Sequence, residues 1–535
     1  MASELGKGLL RITSNYARLV FMVSMGIVLV PLVLNGATDI GFGLWGMLGA
    51  TAGFGDMFKE IVQTSMNREL GDAYHRGDDA YFKKVINSAF VVSVTSMFFG
   101  VCIYAAIYFC LPLLNIEASW MTTARTIVIF QGISSAVAIG AAPLFNMYIV
   151  SERMGMYNAW LVAERSSYLI AAIVWVVLFP IDDPQETLVR FAITGALCAV
   201  CVVTLASLVM LFLDRRTLPK PSLADRTEIV SIVKTSGWNG VVSAALNMHI
   251  RLDQLLVNLW FGLAGNAVFV AAVRLASYIR MITVGMTDGL DVVAARLSSQ
   301  QQGDRLTTLV PRVTKMHAMI AIPAAVFVLV YAPHLLELWI GKQLDDAQLQ
   351  RCVTTVRILA IGMCARGISD GWIRLLYGAG YIKRYAPVIL IGGLMNPIVA
   401  FTLFRSLHAE QRAGEVWSSF NAPAIAFASI FMTAHLLWIP RVVRRCLGVS
   451  VRTLVKPIIR PAIMGACLFV FGATLTHFYH IHTVLDLGVH VVAISVVGVV
   501  LLLVVVADQR DRGLVGGMLG NVLSRFRGRE QAEGQ

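Results

Sequence analysis

Apolar stretches of about 20 residues, the length a helix needs to cross the hydrocarbon of a bilayer, follow one another from residue 12 to residue 506 with short polar joints between them. No soluble fold accommodates such a chain. Of its 535 residues 57% are hydrophobic and only 14% charged, which excludes a water-soluble enzyme and a disordered segment. With no water to satisfy backbone groups, segments of this length must be helices. Fourteen spans are expected, at 12–34, 41–66, 86–112, 126–150, 156–180, 191–213, 235–260, 264–294, 316–340, 352–377, 386–404, 418–440, 461–479 and 484–506. The first reads as a retained span, because it carries Arg18 and lacks a signal-peptidase-like end. The fold class is therefore an all-α polytopic membrane protein.

The net charge of +12 would suggest a nucleic-acid partner in a soluble chain, but here it sets orientation. With a cytoplasmic amino terminus the inner joints and both ends hold 29 Lys and Arg, and the outer joints six. Both termini are thus expected in the cytoplasm, with the protein in the inner membrane and no nucleic acid bound. The eight cysteines are scattered through apolar runs and read as small hydrophobes, Cys198 and Cys201 included. No joint is long enough for a separate soluble domain.

Two halves overlay at an offset of about 222 to 231 residues. Thr13 and Ser14 match Thr235 and Ser236; Gly77 and Asp78 match Gly303 and Asp304; Glu152 and Arg153 match Lys383 and Arg384. Each repeat holds six spans, so both begin on the same side and the repeats are parallel. The expected organisation is an N-lobe at 1–220, a C-lobe at 221–446, two added spans at 447–510 and a cytoplasmic tail at 511–535.

With Pro31, Leu32, Asn35, Gly36 and Phe42 to Trp45 in the opening segment, Leu376 to Gly380 followed by Lys383, and the layout of six, six and two spans, the chain resembles the Wzx-type polysaccharide flippases of the MATE/MOP exporter superfamily. The fourteen-span layout is also similar to MurJ-type lipid II flippases. The resemblance implies two lobes forming a V around a central cavity, alternating access, a lipid-linked oligosaccharide as substrate, and no enzymatic step. A polysaccharide polymerase and other assembly proteins are the partners it suggests.

Charged side chains at mid-span are costly, so they usually face a bundle interior or wet cavity. At 100° per residue, Arg274, Ser277, Arg280, Thr287, Asp288 and Asp291 share one stripe of the eighth span, and Asn239, Ser243, Asn247, Arg251, Gln254 and Asn258 one of the seventh. Lys59 sits with polar neighbours on the second span, and Arg18 with Ser14 on the first. Arginine binds phosphate oxygens in bidentate fashion, and Asn beside it suits sugar hydroxyls. Arg18, Lys59, Asn247, Arg251, Arg274 and Arg280 are the expected substrate-binding residues. The competing reading is salt bridging between helices, with Lys59 snorkelling and Arg366, Asp370 and Arg374 pairing along their own helix. Asp253, Asp288 and Asp291 are candidates for a coupling proton or sodium ion, although pairing with Arg251 or Arg280 would also employ them. No catalytic residue, resident metal or cofactor is expected: His477, His480 and His482 read as polar residues at a span end. A drug exporter of the MATE branch would need an acidic, aromatic cavity, and a membrane glycosyltransferase positioned acids in an external loop, where only Asp182 and Asp183 stand.

Overall fold

A 59-residue helix would be about 90 Å long, three times the thickness of a bilayer's hydrocarbon, and this chain contains one. In the computed structural model, which describes residues 2–285, 290–409 and 418–506, helix α7 (Arg226–Val284) runs that far only because it is broken at Gly262 (φ 69°, ψ −170°). Helix α1 (Ala2–His75) is broken in the same way at Thr38 (φ 61°, ψ 178°). Glycine adopts this left-handed backbone freely, whereas β-branched Thr38 does so at a cost of about 1–3 kcal/mol. Each long helix is thus two crossings joined by a one-residue corner.

Between them lie α2 (Asp79–Cys110), α3 (Met121–Gly140), α4 (Ala142–Val150), α5 (Met154–Ala172) and α6 (Pro184–Leu213). After α7 come α8 (Leu290–Ser299), α9 (Gly303–Ile340), α10 (Asp346–Gly378), α11 (Ile382–Ala409), α12 (Ala422–Phe431), α13 (Ile439–Leu447), α14 (Val451–Phe478) and α15 (Val484–Leu501). Among the described residues twelve helical segments are long and apolar enough to cross a membrane. Splitting the two broken ones at their corners reaches the fourteen expected spans. Large apolar side chains such as Leu485, Val489, Val492, Val496 and Val504 stand exposed along the last helix, as a lipid-facing surface requires and a water-facing one does not tolerate.

The repeat is written into the backbone. Thr38 and Gly262, Gly77 and Gln301, and Glu152 and Gly380 all take positive φ, and the members of each pair stand 224, 224 and 228 residues apart. Acids at joints cap helices: Asp183 accepts from the Gln185 N–H at 2.9 Å, and Asp345 forms a capping box with Gln348. Helix α7 is described to Val284, short of the expected 294, and Asp291 lies in the next described helix, α8. Asp288, with Thr287, lies outside the described residues, as does the expected tail 511–535.

The cores show how the halves meet. At the end carrying the corners, one core joins both halves, from Leu44, Met47 and Leu188 to Phe269, Leu359 and Phe427. At the end carrying the chain termini there are two cores. One gathers Met66, Phe82, Phe145 and Met210 in the first half, with Ile232 from the start of α7; the other gathers Leu306, Val310, Trp372 and Val443 in the second. At the corner end one core thus spans both halves, whereas toward the termini each half has its own, although Ile61 of α1 still lies against Gly240 of α7 there.

The joint between the halves is tied down by Asp225, which caps α7 through the Thr227 N–H at 2.8 Å and pairs with Lys84 of α2 at 2.9 Å. The Lys84 bond and then the Thr227 N–H hold this carboxyl down from 3.8 to about 2. Its contribution to stability is present in full above the ordinary value and lost as pH falls toward about 2. Accordingly, the melting-temperature difference between wild type and Lys84→Met measured at about pH 6 is expected to vanish by about pH 2, whereas a difference that persists would place the effect elsewhere.

Candidate functional site

The α1–α7 seam assembles most of the expected residues. Asn266 of α7 donates to the Gly43 carbonyl of α1 at 2.9 Å, so the two corners lie at the same end. Counted at 1.5 Å per residue from those corners, Arg251 and Arg274 lie about 17 Å in, whereas Arg18, Arg280 and Lys59 lie about 27–32 Å in. The cations thus occupy two levels about 10 Å or more apart. A single diphosphate meets one level at a time.

Arg274 is the residue whose surroundings most resemble a ligand site. Its side chain is exposed although it sits deep among protein atoms, the combination expected on the wall of an internal crevice. Arg165 of α5 is close enough to act on it electrostatically, so cations from both halves converge. One turn further along α7, Tyr278 fills the space beside Gly26 of α1.

Arg251 and Asn247 do different work in this state. The Arg251 guanidinium crosses to α1 and donates to the Gly49 carbonyl at 3.0 Å, while its Nε donates to Asn247 Oδ1 at 2.6 Å. A Cβ on Gly53 would collide with this guanidinium, which would have to move aside. Together they clasp the halves. The remainder of the polar stripe is dispersed: Asn239 donates to the Tyr377 hydroxyl at 3.4 Å and Asn258 to the Leu114 carbonyl at 3.2 Å. It does not line one continuous wall.

Lys59 is bonded to Glu164 of α5 at 2.9 Å, which is the bridging alternative. Arg18 is half-buried on α1. Arg280 donates to Asp370 of α10 at 2.9 Å, and Arg366 approaches the other oxygen of that carboxyl at 3.9 Å. Asp370 therefore reaches beyond the partner on its own helix, to a cation 90 residues away in sequence. Around this triad the Arg366 guanidinium lies 5.4 Å from the Phe431 ring, His435 stacks on the same ring at 4.6 Å, and Ser369 meets His435 Nδ1 at 2.5 Å.

Asp253 is 1% exposed. One oxygen accepts from Asn396 of α11 at 2.8 Å, and the other has no hydrogen-bond partner among the described residues. A buried carboxyl with one bare oxygen is suited to carrying a proton or holding a sodium ion. His477, His480 and His482, around the joint between α14 and α15, show no metal-binding grouping among the described residues.

At the corner end three bonds that the sequence did not suggest lace the halves together. Trp339 donates to the Ile27 carbonyl at 2.7 Å, Gln343 to Asn35 Oδ1 at 2.9 Å and Gln348 to Asp39 Oδ2 at 3.2 Å. Trp339 is thus a cross-lobe donor. No periodicity marks Gln343 and Gln348, which sit where one helix ends and the next begins. Asn396 likewise stands alone in an apolar helix.

Comparison with known proteins places these features in context. The family model described as polysaccharide biosynthesis protein matches residues 77–349. No curated protein sequence matches the chain. Among solved structures, an inward-facing multidrug resistance MATE family transporter of the MOP superfamily aligns with TM-score 0.64 and 11% identity over 81% of this chain and 99% of its own. The lipid II flippase MurJ in an inward closed conformation aligns with TM-score 0.65 and 9% identity over 92% and 98%. A MOP superfamily transporter from Pyrococcus furiosus, described as having a binding pocket of reverse polarity, aligns with TM-score 0.59 and 11% identity over 82% and 96%. At these identities the likeness is one of fold.

Proposed function

Given that the chain belongs to the family of polysaccharide biosynthesis proteins, we propose that it is a flippase carrying a polyprenyl-pyrophosphate-linked oligosaccharide from the inner to the outer leaflet of the inner membrane by alternating access. The observation that carries this reading is Arg274, an arginine exposed inside the protein body with Arg165 beside it. Two cations facing one crevice select an anionic head group. The charge bias of the joints supports cytoplasmic termini, and the end where each half keeps its own core would then be the side that receives substrate. Arg18, nearer that end, would meet the diphosphate first, and Arg274 would hold it. The lipid tail would remain in the bilayer. Opening the other side requires breaking the Trp339, Gln343 and Gln348 bonds, and a bound head group drives this only if it favours the second state.

The test is movement of a fluorescent polyprenyl-pyrophosphate oligosaccharide across proteoliposomes, with ethidium as the competing cargo. Flipping of the lipid without ethidium export is expected; ethidium export alone would replace the proposal with a drug exporter. Coupling to a proton or sodium ion is assigned to Asp253. Asp253→Asn should abolish stimulation by an imposed pH or sodium gradient while leaving lipid binding within about twofold of wild type, and unchanged stimulation would remove Asp253 from the coupling step.

A further inference from the structure

Outside the central crevice, a niche of about 390 Å³ opens between α9 and the first turns of α14, lined by Pro311, Arg452, Thr453, Lys456 and Pro457. Its volume lies within the range of small-ligand sites, roughly 300–1,000 Å³. Its origin is local. Pro311 lies inside α9 and Pro457 inside α14, and a proline inside a helix removes a backbone bond from the ladder. Leu454, fully buried, anchors α14 to the second-half core while Arg452 and Lys456, one turn apart, project exposed on either side.

The charge around the niche has one sign. From residue 416 to 485 the chain contains no Asp or Glu, and from 305 to 336 on α9 there is none either. Neither Arg452 nor Lys456 forms an ion pair among the described residues. A topology signal requires basic residues in a joint but no concavity; Arg441, Arg444 and Arg445 serve that purpose on α13 without lining this niche. The niche lies at the first turns of α14 and the early turns of α9, toward the same end of the bundle as the chain termini.

We propose that this niche is a binding site for the phosphate of an anionic glycerophospholipid, with the Arg452 fork and the Lys456 ammonium on its oxygens. Basic pockets between helices on the inner side of a membrane suit such head groups. The lipid would fill the wedge between α9 and α14 and brace the added helices against the second half.

The test uses the full-length protein in detergent, titrated with phosphatidylglycerol and followed by native mass spectrometry. Each basic residue at an anionic lipid surface contributes about fivefold in affinity, so Arg452→Gln/Lys456→Gln should bind the first phosphatidylglycerol about thirtyfold more weakly than wild type. Phosphatidylcholine should bind both equally, and Arg441→Gln/Arg445→Gln, which removes the same charge outside the niche, should stay within about threefold of wild type. The two side chains are exposed, so equal melting of the variant in phosphatidylcholine micelles is expected and would confirm folding. The proposal is overturned if the niche variant binds phosphatidylglycerol as wild type does or if the control pair loses as much. Discrimination seen with polyprenyl diphosphate but not with phosphatidylglycerol would also overturn it, by assigning the niche to the carrier lipid.

Discussion

Arg274→Ala is expected to lower flipping of the lipid-linked oligosaccharide by at least about tenfold, because a hydrogen bond to a charged group contributes about 1.5–3 kcal/mol. Folding should survive the change. The side chain is exposed within the crevice, so its removal leaves no buried partner stranded, and the protein should purify and melt as wild type does. Arg274→Lys retains charge but loses the planar fork that grips two phosphate oxygens, and an intermediate rate is expected. Arg165 adds its own field at the same point; like charges held together repel, and an arriving diphosphate relieves that repulsion. Rates measured in proteoliposomes at two salt concentrations check the account. If Arg274→Ala flips at the wild-type rate, the head group is held elsewhere and the lower level of Arg18 becomes the site.

Asp370→Asn should produce the largest loss of stability, about 3–5 kcal/mol, since breaking a buried ion pair leaves an uncompensated charge. Arg366 is 5% exposed and Asp370 12%, while Arg280, at 36%, reaches in from the crevice wall. Removing the carboxylate takes a counter-charge away from buried Arg366, beside Phe431, but lets Arg280 turn toward water. The double variant Asp370→Asn/Arg366→Met should therefore recover much of the loss, and Arg280→Ala alone should cost less than Asp370→Asn. Denaturant unfolding in micelles distinguishes these cases; a stable Asp370→Asn would show that the triad bears little of the fold's stability. The sequence suggested Arg280 as a substrate ligand, and in this state it is bonded to Asp370.

The expected residues thus divide by what they touch. Arg274 faces the crevice, Arg251 and Asn247 clasp α1, Lys59 pairs with Glu164, and Arg280 neutralises Asp370. Helical phase alone could not separate them. An arginine facing a wet crevice and one facing a carboxylate on another helix occupy the same kind of position on a wheel.

Class, number of spans, the bias of charge across the membrane and the duplication could all be read from the chain, since a bilayer forces each crossing to satisfy its own backbone and makes hydropathy a local signal. Even the corners at Thr38 and Gly262 fall within the offset that matched residues had indicated. What folding decided is which groups meet: the core that spans both halves at the corner end, the bonds from Trp339 and Gln343 to α1, and the partner of Asp370 on a helix 90 residues away. Those pairings depend on distances between helices, and neither periodicity nor composition carries that distance.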